Sequence, residues 1–115
     1  MKAGKYDIEI EQGSGLGLTV SFQPGGEQVD WTGCTARLQA RAKHSSPDVI
    51  FALTTENGGI VMDGPAGKLR LVMTAAAAAL LKFARAVYDL EIVPDGNEPY
   101  RLLQGNVFLS REVTR

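Results

Sequence analysis

Residues 86–109 alternate so regularly that they decide what kind of fold this chain can adopt. Ala86, Tyr88, Leu90 and Ile92 are separated by Val87, Asp89, Glu91 and Val93. A Pro-Asp-Gly-Asn-Glu-Pro run at 94–99 breaks the pattern, and Leu103, Gly105, Val107 and Leu109 carry it back. A period of two describes a strand with one buried face, and two such runs around a turn describe an antiparallel hairpin. Pairing Val93 with Tyr100 sets Leu90 opposite Leu103, Tyr88 opposite Gly105 and Ala86 opposite Val107. One face is then apolar and the other carries Asp89, Glu91, Gln104 and Asn106. The Tyr88 ring is expected to cover backbone that Gly105 leaves bare.

The rest of the chain repeats this pattern in shorter pieces. Tyr6, Ile8 and Ile10 alternate with Asp7, Glu9 and Glu11; Leu16, Leu18, Val20 and Phe22 follow after a Gln-Gly-Ser-Gly turn. Residues 23–28 form the clearest loop. Cys34, Ala36, Leu38, Ala40 and Ala42 predict the inward side of a third strand, with Thr35, Arg37, Gln39 and Arg41 outward. Residues 49–54, 60–62 and 68–73 predict further strands, the middle one an edge. Leu69, Leu71 and Met73 are placed on the inward face of the last of these. The single helical candidate lies near 74–83, with Thr74 as its cap. One chain of 115 residues, 44% hydrophobic, has material for one core and one domain, residues 1–115. The expected fold is all-β: an immunoglobulin-like antiparallel sandwich of seven or eight strands with one short helix crossing between the sheets.

Composition excludes several function classes. Twelve basic residues against 13 acidic ones give a net charge of −1, which offers no excess for phosphate backbones and so no case for nucleic acid. The longest apolar stretch, 75–81, is too short to cross a membrane. The polar start, Met1 to Lys5, leads straight into a strand pattern, so the expectation is a protein made in the cytoplasm and kept soluble. A lone cysteine forms no internal disulfide.

No constellation spells out a reaction. His44 stands beside Ser45, Ser46 and Asp48, the residue types of a nucleophile–base–acid set, yet such a set needs side chains converging from a scaffold; neighbours in one loop read as a solvated turn. Cys34 sits on an apolar strand face and reads as structural. One cysteine and one histidine do not make a zinc site, and no loop has spaced oxygen ligands for calcium. The Gly13-Ser14-Gly15-Leu16-Gly17 run is followed by a strand, where a phosphate loop needs a helix. No catalytic residue, metal or cofactor is assigned. The polar residues instead suggest docking surfaces: Asp7, Glu9 and Glu11 on the first strand, Arg37 and Arg41 across from acids, Asp89 and Glu91 on the hairpin, and Arg111 and Arg115 in the tail. Trp31 is either an interface anchor or a plug at the end of the core, with the plug preferred. The loops at 23–28 and 43–48 join this set.

The wording of the strands carries a resemblance. Tyr6-Asp7-Ile8-Glu9-Ile10-Glu11-Gln12-Gly13, Val29-Asp30-Trp31-Thr32-Gly33-Cys34-Thr35-Ala36-Arg37, Leu53-Thr54-Thr55-Glu56-Asn57-Gly58-Gly59-Ile60, Val87-Tyr88-Asp89-Leu90-Glu91, Arg101-Leu102-Leu103-Gln104-Gly105 and Arg111-Glu112-Val113-Thr114-Arg115 resemble a family of small tailed-phage and prophage structural proteins. Their order is similar to the immunoglobulin-like N-terminal domain of phage baseplate upper proteins. Trp31 stands where that family usually has leucine, and the alanine run replaces a helix richer in threonine and glutamate. The resemblance implies a non-enzymatic virion protein of the tail, baseplate or neck, docked to other virion proteins, in a homo-oligomer or ring. A head decoration protein, and an assembly chaperone or host-factor binder absent from the particle, are the alternatives; a small hydrolase built on His44 is the enzymatic one.

Overall fold

The computed structural model describes residues 3–21 and 29–113. Two sheets face each other across one core. The larger contains β1 (Gly4–Lys5), β2 (Ile8–Glu11), β4 (Thr35–Arg41), β5 (Phe51–Thr54), β8 (Arg85–Val93) and β9 (Tyr100–Ser110), in the order β1-β9-β8-β4-β5 with β2 also on β9. The smaller is β3 (Leu16–Ser21), β7 (Lys68–Met73) and β6 (Ile60–Asp63), in the order β3-β7-β6. This is the expected all-β sandwich of immunoglobulin-like outline. The core is built from the inward residues of both sheets: Ile8, Ile10, Ala36, Leu38, Ala40, Leu90, Ile92 and Val107 on one side, Ile60, Leu69 and Leu71 on the other.

The hairpin pairs as its alternation requires over most of its length. Ala86 faces Val107, Tyr88 faces Gly105 and Leu90 faces Leu103. Beyond Leu90 the register shifts, so that Glu91 faces Arg101 and Ile92, not Val93, faces Tyr100. The extra residue is Leu102. Without this bulge, strict alternation would turn Arg101 into the core and Leu102 into water, because a slip of one residue exchanges the two faces of a strand. Leu102 is instead buried and Arg101 exposed.

The first strand departs from expectation in two ways. It pairs with β9 in parallel, and it is interrupted. Gly4 faces Leu103 and Ile8 faces Val107 at the same offset, so β1 and β2 are one strand broken at Tyr6 and Asp7. Among the described residues the nine strand segments then amount to eight strands. Tyr6, placed on the inward side by its alternation with Ile8, is 47% exposed. The cause lies elsewhere in the chain. The buried Tyr88 hydroxyl donates to the Tyr6 carbonyl at 2.5 Å, which draws that carbonyl out of the ladder and over Gly105. A Cβ on Gly105 would run into it. The Asp7 carboxylate then fills the gap, accepting from the Asn106 backbone N–H at 2.9 Å. Gly105 is thus required by the close approach of Tyr6.

Other boundaries are local corrections. Cys34 and Ala42 fall outside β4, and Ala42 is exposed. Val49 and Ile50 precede β5. Phe22 and the 23–28 loop lie outside the described residues. The helix α1 spans only Ala75–Ala79; the Thr74 hydroxyl accepts from the Ala77 N–H at 3.1 Å, as a cap should. It stops early because Leu81 turns into the core and its carbonyl is taken by the Gln12 side chain at 2.8 Å. Phe83 then stacks near Phe51, with ring centroids 6.3 Å apart.

These contacts set two expected stabilities. Gly105→Ala forces the Tyr6 carbonyl away and should cost about 2 kcal/mol, whereas Tyr88→Phe removes one hydrogen bond and should cost about 1 kcal/mol, both read by urea denaturation. Equal or reversed costs would show that the break in the first strand is not held by this approach.

Candidate functional site on the outer face of the large sheet

Alternation puts every second residue of β4, β8 and β9 on the side of the large sheet that faces away from the core. From β4 come Arg37, Gln39 and Arg41; from β8 Val87, Asp89 and Glu91; from β9 Gln104 and Asn106. Asp7 joins them through its bonds to Asn106. Three concavities run side by side across this face. The first, about 440 Å³, includes Lys5, Tyr6, Asp7, His44, Gln104 and Asn106 in its wall. The second, about 110 Å³, shares His44 with it and adds Gln39, Arg41 and Asp89. The third, about 350 Å³, continues over Arg37, Gln39, Asp89 and Glu91.

The charges on this face are interleaved. Arg37 Nε donates to Glu91 Oε1 at 2.8 Å directly across the ladder. Arg101 Nε lies 3.5 Å from Asp89 Oδ2, and its Nη1 donates to Gln104 Oε1 at 3.0 Å. Arg41 has a different task from the surface ion pair expected of it. Its Nη1 donates to the carbonyls of Ser46 and Pro47 at 2.9 and 2.8 Å, and its Nη2 to Gln39 Oε1 at 2.9 Å. These bonds hold the 43–48 loop against the sheet and bring His44 to the rim of two concavities.

Below this face lies the Tyr88 phenol. Burial, then the nearby Asp7 carboxylate, then Tyr6, push its pKa well above the ordinary tyrosine value of 10.0. At the far end of the core, Asp30 accepts from the Thr32 N–H at 2.9 Å and its hydroxyl at 2.5 Å, which holds the Asp30 carboxyl below its ordinary value. That turn delivers Trp31 into the core, 2% exposed, where its ring N–H donates to the Tyr100 hydroxyl at 2.9 Å.

Of the proposed docking residues, the structure gathers Asp7, Arg37, Arg41, Asp89 and Glu91 on one concave surface. Glu9 and Glu11 point to the same side but stand at its edge, across from Phe108 and Ser110. Trp31 is a core plug and presents no surface for an anchor. Arg111 donates to the Lys82 carbonyl at 3.0 Å, which ties it to the segment after the helix. Arg115 and Thr114 lie outside the described residues. Lys5, Tyr6 and Arg101 were not singled out from sequence. The bulge at Leu102 hides Arg101, and the exposure of Tyr6 depends on a residue far along the chain.

His44 makes no hydrogen bond to Ser45, Ser46 or Asp48; the Ser46 hydroxyl accepts from the Lys43 N–H at 3.1 Å. Among the described residues no three of His, Cys, Asp and Glu are grouped to hold a metal ion, and no helix is long and apolar enough to cross a membrane. The surface offers alternating donors and acceptors across a sheet. No family model matches the chain, and no curated protein matches it.

The Arg37–Glu91 pair is half in water, with side chains 51% and 29% exposed. A double-mutant cycle with Arg37→Ala and Glu91→Ala should give a coupling of about 0.5 kcal/mol that shrinks toward zero in molar salt. A salt-independent coupling would mean that the pair is shielded from solvent. The Tyr88 shift also has a sign. A raised folded-state pKa means that the phenol's contribution is whole below the unfolded value of 10.0 and falls as pH rises above it. The stability gap between wild type and Tyr88→Phe should accordingly narrow in that alkaline window, as followed by denaturation at a series of pH values.

Proposed function

We propose that this chain is a non-enzymatic docking module of a tailed-phage virion, built into the tail, baseplate or neck. The observation that carries the reading is the outer face of the large sheet. It is concave and polar, its charges alternate in sign, and three side-chain pairs bond across its strands, Arg37 with Glu91, Arg101 with Asp89 and Asp7 with Asn106, so much of the surface is ordered before a partner arrives. Preorganisation of that kind lowers the cost of association, and interleaved charges favour a partner with the opposite pattern over one without it. The resemblance to phage structural proteins supplies the setting. It supports a role in which the module is one copy of a ring and meets other virion proteins through this face.

Two measurements test the reading together. Mass spectrometry of purified particles should find the protein, and localisation by electron microscopy of tagged particles should place it on the tail side of the head. The charge-reversed Glu91→Arg variant should fold normally yet be incorporated several-fold less, since one reversed charge opposite a complementary partner raises dissociation. Steady absence of the wild-type protein from intact particles would end the proposal; a signal on the capsid would reassign the module to head decoration.

A further inference from the structure

The first strand lies on the large sheet, so β3 is left as the edge of the small sheet. Among the described residues β3 pairs with β7 alone, in unbroken register from Leu16 opposite Met73 to Ser21 opposite Lys68. Its sequence, Leu-Gly-Leu-Thr-Val-Ser, contains no charge, no proline and no bulge. Sheet edges that must stay unpaired normally carry such guards. The other edges here do carry them or are short: β2 presents Glu9 and Glu11, while β5 and β6 have four residues each.

Beside this edge runs a groove of about 300 Å³ between β1 and β3, with Leu18, Val20 and Leu103 among its apolar walls. These three side chains are half-buried, packed against the core on one side and open on the other. The opposite face of the same edge carries Arg70 and Lys68 beside β3, with Asp63 across from Lys68 on the far side of β7. Arg70, opposite Thr19 on β7, folds its guanidinium over the bare backbone of Gly17, and its Nη1 reaches the Thr19 hydroxyl at 3.5 Å. Neither Arg70 nor Lys68 is in an ion pair with a described residue.

We propose that β3 accepts an extended segment of a partner protein as an added strand, with apolar side chains entering the groove and carboxylates on the alternate positions meeting Arg70 and Lys68. The open backbone edge recognises a strand, and the two faces specify its alternation. A second copy of β3 fits less well. It carries no charge to meet the cations, and its alternate positions Gly17, Thr19 and Ser21 offer no carboxylate. This inference concerns a surface separate from the polar face and stands or falls independently of it.

The test is titration of the intact protein with a capped synthetic peptide, Glu-Val-Glu-Val-Glu-Val-Glu, followed by backbone amide shifts and hydrogen exchange. Shifts and protection should concentrate on Gly17, Leu18, Thr19, Val20 and Ser21. Methylating one alternate set of the peptide's amide nitrogens should abolish binding, while methylating the other should leave it intact. The Lys68→Glu/Arg70→Glu variant, checked for an unchanged melting curve, should bind about tenfold more weakly, and a lysine-for-glutamate peptide should not bind the wild type. Binding that ignores methylation, or that perturbs the outer face of the large sheet instead, would overturn the proposal. So would absence of binding, or self-association of the free protein through β3.

Discussion

The hydrogen bond from Tyr88 to the carbonyl of Tyr6 organises more of this molecule than its size suggests. The hydroxyl sits below the large sheet, buried, and needs an acceptor. It finds one only by pulling a main-chain carbonyl out of the β1/β2 ladder. Gly105 permits the displacement, because any Cβ there would occupy the space that the carbonyl takes. Asp7 repairs the ladder by offering its side chain where a backbone acceptor is missing. Three residues distant in sequence therefore fix one local break, and each would be a poor choice without the other two.

That break has consequences on both sides of the strand. Toward the outer face it leaves Tyr6 and Asp7 raised at the margin of the sheet, where they form one wall of the concavity of about 440 Å³. Toward the small sheet, β1 and β2 both lie on β9 and neither pairs with β3. An immunoglobulin-like sandwich commonly places its first strand beside the second. Here the connection from Glu11 to Leu16 turns within a few residues, and Gln12 anchors the turn by bonding the Leu81 carbonyl and accepting from the Glu112 N–H. The segment after the helix, Glu112 and the first turn are tied at one point, beside the place where the chain passes from one sheet to the other.

Much of this was legible in the sequence, and the remainder has identifiable physical reasons. The alternation of residues 86–90 with 103–107 dictated both the pairing and its buried face, because a period of two leaves no other way to cover Tyr88 and Leu90. The bulge at Leu102 is not read from the alternation, which pairs Val93 with Tyr100; it is there because strict alternation cannot bury Leu102 while keeping Arg101 in water. Trp31 belonged to the core because the Asp30–Thr32 turn and the Tyr100 hydroxyl give its ring a polar partner at the sandwich end. The exposed Tyr6 and the parallel first strand were not legible. Both depend on contacts between residues 6, 88 and 105, and hydrophobic periodicity carries no information about such distant pairs.

The electrostatics of the outer face follow from the same physical reasoning. A reactive site concentrates groups whose charges are left partly uncompensated, because unmet interactions are what shift a proton or activate a nucleophile. On the outer face the opposite holds: Arg37 meets Glu91, Arg101 meets Asp89 and Gln104, and Arg41 is spent on the loop carbonyls. Each of these arginines has an acceptor beside it, and Asp89 and Glu91 each have a cation. What remains available is the pattern itself, a row of donors and acceptors at the fixed spacing of a sheet. A rigid pattern of that sort distinguishes among partners by how well their own charges fall into register with it. The strength of such a contact then depends on how many of these positions a partner meets at once, since no single exposed pair is worth much alone.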